Sequence, residues 1–381
     1  MATTGPPRID LCLVAHLAWG AMSGGTAGHV GGVERQTSLM ARWLASRGHH
    51  PSLVTWDEGQ PDGVLVDGVR VVKLCAREAG LPVLRFLHPR WTSLNRALAR
   101  ANAGIYYHNC SEYVTGQVAL WARRHGRRFV FSTAHDEDTD PRLRHLSLRE
   151  RVLYRYGLRH ADRIIAQTRT QQSRLKEHFG RESVVIPMPC PGPGPEETLA
   201  RPARPGAGRV LWIGRVCEQK RPHLLLELAR ACPDVGFDLV GPADTSPYTR
   251  AVLEAVRSTP NVRVRGAVPR PKVPALYLAA SCLVCTSRDE GFPNTFLEAW
   301  SHGLPVVSTF DPDGLIAERG LGGAAADVAE LAAGIRHLLL SPEEWRGASE
   351  RARRHYLDNH TIEGAMSRFE AVFLELGASE R

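Results

Sequence analysis

No apolar run in the 381-residue chain reaches the roughly 20 residues that a helix needs to cross a bilayer. The beginning of the chain also lacks the unbroken apolar core of a secretory signal, because Asp10 and His16 interrupt the run that follows Arg8. Both absences favour a cytoplasmic location, which is our expectation.

The cysteine pattern lacks the paired ligands that build a zinc site. Of the eight cysteines only Cys282 and Cys285 show a CxxC spacing, and neither a second CxxC nor a close pair of histidines accompanies them. The run SCLVCTS around them is typical of a buried strand, on which residues three apart face opposite sides. We therefore predict buried free thiols there rather than metal ligands.

Acidic residues are scarce in the first half of the chain. Residues 1–190 contain 26 Lys+Arg against 16 Asp+Glu, whereas residues 191–381 contain 22 against 24. The segment 141–163 alone has seven arginines and two acidic residues. A basic face of this kind indicates an anionic partner, although a solvated face without a partner is the alternative. No nucleic-acid recognition motif accompanies it, so we expect no nucleic acid and favour peripheral contact with an anionic membrane.

The length of the chain predicts two domains rather than one. Apolar runs such as IDLCLVAHL, RRFVFSTAH, RVLWIG and FDLVGP are typical of buried parallel strands, and helical patterns alternate with them. The segment Pro187–Gly208 is rich in proline and glycine and is the clearest linker. We therefore predict an α/β protein with two doubly wound domains, at residues 1–190 and 191–360, followed by an amphipathic helix at residues 361–381.

Two motifs of the second domain have residues suited to a diphosphate and its sugar. Arg215 and Lys220 follow the strand in WIGRVCEQKRP, where two cations could offset the charge of a departing diphosphate. In EGFPNTFLEAW, Glu290 and Glu298 flank a turn, and Asn294 is predicted to cap a helix whose first amides could hold an oxygen anion. The carboxylates could accept hydrogen bonds from vicinal hydroxyls. The alternative is that Arg215 and Lys220 are ordinary basic residues of a surface loop, and that the helix is simply capped and carries an exposed glutamate.

Two further motifs lie in the first domain. The glycine loop HVGGV, His29 to Val33, precedes a predicted helix, so its amides could approach a phosphate, although it lacks the GxGxxG of a dinucleotide fold. His135 follows a predicted strand and could orient or deprotonate a substrate hydroxyl. A hydrogen-bonded loop histidine without a catalytic role is the alternative.

The motifs GGVE (Gly31–Glu34), His135, IGRVCEQK (Ile213–Lys220), GAV (Gly266–Val268) and Glu290–Glu298 together resemble those of retaining GT-B glycosyltransferases that use a nucleotide-diphosphate sugar. This group is also known as glycosyltransferase family 4-like or glycosyl transferases group 1. The resemblance implies two Rossmann-like domains facing across a cleft, with a final helix that returns to the first domain. It also implies transfer with retention, without a metal or another cofactor.

The resemblance further assigns roles to individual residues. Arg215 and Lys220 would hold the diphosphate, Glu290 the hydroxyls of the donor sugar and Glu298 the ribose. Val268 would meet the base, Gly32 the distal phosphate, and His135 would lie beside the reacting sugar. The catalytic set is therefore His135, Glu290, Arg215 and Lys220, and the donor-binding set is Gly31, Gly32, Arg215, Lys220, Val268, Glu290, Gly291, Phe292, Pro293, Asn294, Thr295 and Glu298.

The implied function is a hexosyltransferase that moves a sugar from a nucleotide-diphosphate sugar to the hydroxyl of a glycan, lipid-linked or small-molecule acceptor. The sugar and the base stay open, because IPMPCPGPG and FDPDGLIAERG replace an Asn-Gly and paired glycines that the family often has. A nucleotide-sugar 2-epimerase of related fold and a non-catalytic binding protein of GT-B fold are the alternatives.

Overall fold

The computed structural model describes residues 8–24, 31–193 and 209–378. The chain divides into two units, of which one contains residues 1–188 and 365–381 and the other residues 189–364. Most of the predicted linker and His29 of the glycine loop lie outside the described residues.

The first unit is built on a sheet whose eight described strands follow the order β3-β4-β2-β1-β5-β6-β7-β8. Neighbouring strands run parallel except β3 and β4, and the direction of chain progression reverses between β1 and β5. The strands are β1 (Asp10–Val14), β2 (His50–Thr55), β3 (Val64–Val66), β4 (Val69–Lys73), β5 (Ile105–Asn109), β6 (Arg128–Ser132), β7 (Arg163–Ala166) and β8 (Val184–Val185).

Helices follow most of these strands, as the alternating sequence pattern predicted. They are α1 (Trp19–Met22), α2 (Gly32–Ser46), α3 (Thr92–Ala101), α4 (Tyr113–Arg124), α5 (Leu148–His160) and α6 (Arg169–Phe179). A π-helical turn spans Phe86–Trp91 and a 3-10 turn spans Asp136–Thr139. The core between sheet and helices contains large buried rings, among them Tyr106, Phe129 and Tyr154.

The second unit has a sheet of six described strands, all parallel, in the order β11-β10-β9-β12-β13-β14. The strands are β9 (Arg209–Ile213), β10 (Phe237–Val240), β11 (Val262–Gly266), β12 (Ala280–Cys285), β13 (Val306–Ser308) and β14 (Gly322–Ala324). The helices are α7 (Pro222–Ala231), α8 (Pro247–Val256), α9 (Val273–Ala279), α10 (Asn294–Ser301), α11 (Leu315–Arg319), α12 (Val328–Leu340) and α13 (Pro342–Asn359), and the last helix of the chain is α14 (Ile362–Ala378). The prediction of an α/β chain with two Rossmann-like parallel sheets is thus confirmed.

Two glycines allow α4 and α5 of the first unit to pack with their backbones in close approach. A Cβ atom at Gly116 would lie 2.1 Å from the carbonyl oxygen of Leu153, and one at Gly157 would lie 2.7 Å from Thr115 Cγ2. The face of α5 that carries Gly157 and the buried Leu158 therefore packs against α4. The opposite face of α5 is left toward solvent.

The last helix, α14, begins at Ile362, and its residues from Ala365 onward belong to the first unit. There Phe373 packs edge-on against Tyr107, with 6.1 Å between ring centroids. The carboxylate of Glu370 lies 2.7 Å from His49 Nε2. The apolar stripe of α14 is thus buried against first-unit residues, as its amphipathic pattern requires.

Candidate active site

The order of strands in the second sheet reverses between β9 and β12. The chain moves outward from β9 through β10 to β11 on one side, and from β12 through β13 to β14 on the other. In open α/β sheets, ligands bind outside the carboxyl ends of the strands at such a reversal. The loops that follow β9 and β12 carry Arg215, Lys220 and Glu290, so three predicted site residues lie at this position.

Lys220 and Glu290 form an ion pair across this reversal, with Lys220 Nζ bonded to Glu290 Oε1. The carboxylate is buried, and about a quarter of the lysine side chain is exposed. A buried carboxylate needs such a partner, since an unpaired charge there would cost several kcal/mol. The structure therefore brings together a predicted diphosphate ligand and a predicted sugar ligand.

Hydrogen bonds fix the backbone of Lys220 to the end of β12. Trp212 Nε1 donates to Thr286 Oγ1 at 2.9 Å, and Thr286 Oγ1 donates to the carbonyl of Lys220 at 2.7 Å. Both Trp212 and Thr286 are buried. Neither residue was predicted to belong to the site, because an indole and a hydroxyl 74 positions apart show no local sequence pattern.

Arg221 is a second positioning residue that the sequence analysis missed. Its guanidinium donates to the carbonyls of Thr286 and Ser287 at 2.7 and 3.0 Å and to Thr309 Oγ1 at 2.9 Å. Its backbone has a positive φ of 45° at the start of α7. Arg221 thus joins the loops after β9, β12 and β13. In the sequence, only its position between Lys220 and Pro222 could have indicated this role.

The turn after β12 buries Gly291, Phe292 and Pro293, while Asn294 and Thr295 are half-buried at the start of α10. The prediction that Asn294 caps this helix is wrong, because Asn294 is its first residue and Pro293 occupies the cap position. Pro293 has the extended backbone that a cap residue needs, with φ −64° and ψ 117°. No capping side chain bonds to this helix start among the described residues, so the positive end of the helix dipole is not offset by a side-chain cap.

Glu298 lies on α10 with both carboxylate oxygens engaged. Arg270 bonds to Oε1, and the hydroxyl of Tyr277 donates to Oε2 at 2.7 Å. Burial, reinforced by Glu298, raises the pKa of Tyr277 well above its usual value, so the phenol remains a donor. A carboxylate offers about four acceptor sites, so Glu298 can still accept from ribose hydroxyls. Arg270 and Tyr277 were not predicted, although RPK directly follows the GAV motif.

Arg215 follows β9 and Val268 follows β11, two strands that flank β10 in the sheet. Arg215 is exposed and makes neither a hydrogen bond nor a salt bridge within the ranges that the structure describes. Val268 is half-buried in the loop after β11 and lies two residues before Arg270. Arg215 therefore presents an available cation at the same edge of the sheet as Lys220.

Three predicted site residues belong to the first unit. Gly31 is the cap residue of α2 and Gly32 its first residue, so a glycine pair does precede a helix. His135 is exposed after β6, and its backbone N–H donates to Asp138 Oδ2 at 2.9 Å. The buried Asp138 also accepts from the backbone N–H groups of Ser111 and Ala134, which fixes this loop to the end of β5.

One trio of described residues has the chemistry of a metal site, namely His108, Cys110 and Glu112, with ligand atoms within 4.8 Å of one another. Burial, with Glu112 as the next cause, raises the pKa of the Cys110 thiol well above its usual value. Burial, with Glu34 as the next cause, raises the pKa of Glu112 to about 7. The absence of a metal requirement stays a prediction.

The paired thiols of the sequence behave as predicted. Neither Cys282 nor Cys285 forms a disulfide with another described residue, and both are buried in β12. Burial, with Glu290 as the next cause, raises the pKa of Cys285. Cys285 therefore stays protonated, and both residues belong to the buried core of the second unit.

The stretch FDPDGLIAERG, which departs from the family pattern, forms a tight turn and the short helix α11. Asp313 and Gly314 have positive φ values of 54° and 70°, so Asp313 takes a conformation that a glycine usually adopts. The carboxylate of Asp311 accepts from the backbone N–H groups of Ile316 and Ala317 at 2.8 and 3.1 Å. This helix start is thus occupied by an internal anion, unlike that of α10.

The arrangement can bind an anion whose two ends carry hydroxyl groups. Arg215, Lys220 and the start of α10 supply positive potential at the carboxyl edge of the second sheet. The buried carboxylates of Glu290, before α10, and of Glu298, within α10, supply acceptors. The roles assigned to these residues stay predictions.

Family models match both halves of the chain. Residues 207–341 match the family model described as glycosyl transferases group 1, and residues 31–191 match the model described as glycosyl transferase 4-like domain. Each model therefore covers most of one of the two units.

Two relatives show the extent of the sequence similarity. The chain is 25% identical over 390 residues to a D-inositol 3-phosphate glycosyltransferase from Rhodococcus erythropolis, covering 90% of this chain and 83% of that protein. It is 26% identical over 205 residues to the D-inositol 3-phosphate glycosyltransferase of Segniliparus rotundus, covering 49% of this chain and 43% of that protein.

Solved structures share the fold at low identity. The sucrose-phosphate synthase from Thermosynechococcus elongatus has a TM-score of 0.80 at 18% identity, covering 97% of this chain and 99% of that chain. The Anabaena protein HepE, solved in complex with UDP and glucose, has a TM-score of 0.75 at 18% identity, covering 97% of this chain and all of that chain.

Proposed function

Because the chain belongs to the GT-B glycosyltransferases of the family 4-like group, we propose that it transfers a sugar from a nucleotide-diphosphate sugar to an acceptor hydroxyl, with retention and without a metal. The observation that carries this proposal is the Lys220–Glu290 pair at the strand reversal of the second sheet. That HepE was solved with UDP and glucose supports a donor of this class.

In the proposed complex the diphosphate is held by Arg215, Lys220 and the amides that begin α10. Arg215 is already an available cation, whereas Lys220 exchanges part of its contact with Glu290 for a phosphate oxygen. Fixed cations and amides that meet the charge of a leaving group are the largest single source of acceleration in many enzymes.

The two carboxylates recognise hydroxyls at opposite ends of the diphosphate. Glu290, in the turn before α10, accepts from hydroxyls of the donor sugar. Glu298, held by Arg270 and Tyr277, accepts from the ribose. The backbone near Val268 meets the base. The proposal also includes Gly31, Gly32 and His135 of the first unit, in the roles that the family resemblance implies.

For the chemical step we propose attack on the face that the diphosphate leaves. The bond between C1 of the sugar and the phosphate oxygen breaks, and the bond between C1 and the acceptor oxygen forms on the same side. The acceptor proton passes to the departing phosphate oxygen, so no protein base is consumed. Lys220 and Arg215 then face a nucleotide diphosphate whose developing charge they stabilise.

The proposed acceptor remains a hydroxyl of a glycan, a lipid-linked molecule or a small molecule. The excess of basic residues in the first half of the chain supports peripheral contact with an anionic membrane. No helix among the described residues has both the length and the apolarity to cross a bilayer.

The proposal is tested by a thermal-shift screen of the full chain with nucleotide sugars of different base and sugar, followed by product analysis. We expect one donor to raise the melting temperature and its sugar to appear on an added acceptor. Isomerisation of the donor without transfer would contradict the proposal and favour an epimerase. The absence of a shift with every donor would contradict donor binding itself.

A further inference from the structure

The first unit exposes a run of consecutive apolar residues that its core does not explain. Leu81, Pro82, Val83 and Leu84 are all exposed, and Leu87 follows them. Backbone hydrogen bonds from Leu84 to Leu81 and from Leu87 to Leu84 wind this segment into helical turns. Runs of three or four exposed apolar residues are unfavourable in a soluble domain unless they contact something. The exposed fractions are 69% for Leu81, 92% for Val83, 55% for Leu84 and 57% for Leu87.

The outer face of α5 adds two more exposed apolar side chains. Leu148 is 77% exposed and Val152, one turn later, is 61% exposed. Arg155 and Arg159 continue the same exposed face of the helix. Because the glycine contact with α4 occupies the opposite side of α5, this face has no place in the core of the unit.

A cation–π contact joins the two elements. The guanidinium carbon of Arg149 on α5 lies 3.7 Å from the ring centroid of Phe86 in the neighbouring segment. Phe86 in turn packs against Tyr113 at the start of α4, with 5.3 Å between ring centroids. Leu81–Leu87 and the outer face of α5 therefore form one surface, which we call the apolar–basic face.

We infer that the apolar–basic face docks the protein on a bilayer that contains anionic lipid. Aliphatic side chains would enter the boundary between head groups and acyl chains, and the arginines of α5 would remain with the lipid phosphates. Charge complementarity favours this partner, because segment 141–163 has seven arginines against two acidic residues. The inference deepens the membrane contact proposed above and is independent of the transfer reaction.

The aliphatic side chains and the arginines of this face should both strengthen binding to the membrane. Each arginine near an anionic surface strengthens binding several-fold, and burial of aliphatic groups adds a part that salt does not screen. Binding to anionic vesicles should therefore weaken with salt but not disappear at high ionic strength.

The test is co-sedimentation of the full chain with vesicles of phosphatidylcholine alone and with about one third phosphatidylglycerol. We expect binding to the anionic vesicles, and a loss of at least about ten-fold in the double variant Leu84→Glu with Leu148→Glu. The double variant Arg155→Gln with Arg159→Gln should lose about ten-fold on anionic vesicles.

Matched controls place the same charge changes on other exposed surfaces. Leu65→Glu with Leu340→Glu changes two leucines that are 70% and 81% exposed, and Arg250→Gln with Arg346→Gln removes two exposed arginines of the second unit. Both controls should bind vesicles like the wild type. Melting temperatures and donor-induced thermal shifts of all variants should match the wild type, which separates this inference from donor binding.

Three outcomes would overturn the inference. Undiminished vesicle binding by the Leu84 and Leu148 variant would place the contact elsewhere. Failure of the wild type to bind any vesicle would remove the membrane contact altogether. A wild-type dimer that becomes monomeric in this variant, seen by sedimentation velocity, would assign the apolar–basic face to a second copy of the chain.

Discussion

Lys220 Nζ bonds to Glu290 Oε1 although the two residues lie 70 positions apart in the chain. The pair spans the point where the strand order of the second sheet reverses. The ion pair neutralises the buried carboxylate. It also holds the Lys220 cation and the Glu290 acceptor in fixed orientations at one place. In the proposed complex Lys220 binds the diphosphate of the donor and Glu290 binds its sugar. Removing either side chain should therefore affect both donor binding and turnover.

Replacing Lys220 by Met should lower kcat/KM by about 10²–10³-fold, since one preorganised contact to the departing charge is lost. The carboxylate of Glu290 would also lose its partner, so Glu290→Gln in the same chain should restore stability but not activity. Steady-state kinetics with the donor identified by the screen measures the loss. Lys176→Met, which removes a surface ion pair with Glu182, is the control and should leave the rate unchanged. Normal turnover by Lys220→Met would contradict the role given to Lys220.

Replacing Tyr277 by Phe should weaken donor binding by about ten-fold. The hydroxyl of Tyr277 donates to Glu298 Oε2 at 2.7 Å, and hydrogen bonds to a charged group contribute about 1.5 kcal/mol or more. Calorimetric titration with the donor measures KD, and kcat at saturating donor should change little because Tyr277 acts through Glu298. Tyr248→Phe, which removes a hydroxyl bonded to His223, is the matched control. Equal affinity of Tyr277→Phe and wild type would show that Glu298 needs no such positioning.

Replacing Gly116 by Ala should destabilise the first unit by about 3 kcal/mol. Its Cβ atom would lie 2.1 Å from the carbonyl oxygen of Leu153, so one of the two helices must move. Chemical unfolding measures the change. Gly377→Ala on α14 meets nothing within 4 Å and should be neutral or slightly stabilising. A neutral Gly116→Ala would contradict the close packing of α4 and α5.

His355 should make the second unit less stable in mild acid. Burial, with Arg319 as the next cause, lowers the pKa of His355 to about 4, against 6.5 for the unfolded chain. The unfolded state therefore binds more protons between these values, and stability falls as the pH decreases from 6.5 toward 4. The expected loss is about 2 kcal/mol between pH 7 and pH 5.

Chemical unfolding at both pH values measures this loss in the wild type and in His355→Gln. The variant should show a smaller dependence on pH, whereas His337→Gln, at an exposed position on α12, should keep the wild-type dependence. An unchanged dependence in His355→Gln would assign the acid sensitivity to other groups.

Strands and helices with long periodic patterns could be predicted from the sequence, because burial on both faces of a parallel strand produces continuous apolar runs. The hairpin of β3 and β4 was missed, although Asp67-Gly68 is a strong turn signal and both residues have the positive φ that such a turn requires. The prediction that Asn294 caps α10 was wrong, because Pro293 has an extended backbone and occupies the cap position instead.

The position of Arg215, Lys220 and Glu290 after strands could be predicted, since their spacing is visible in the chain, whereas their roles stay predictions. Their partners could not be predicted, because Arg270, Tyr277 and Thr286 act through contacts between segments distant in sequence. Arg221 was overlooked for the same reason, since its three acceptors come from two other loops. Such positioning contacts depend on strand order, which local patterns do not encode.

The central claim is that the second unit binds a nucleotide-diphosphate sugar through Lys220 and the two buried glutamates. The most direct measurement is calorimetric titration of the donor found in the screen into the wild type, Lys220→Met and Glu298→Gln, with Lys176→Met as control. We predict saturable binding by the wild type and the control, and an affinity at least about ten-fold weaker in both site variants. Equal affinities across all four proteins would contradict the account.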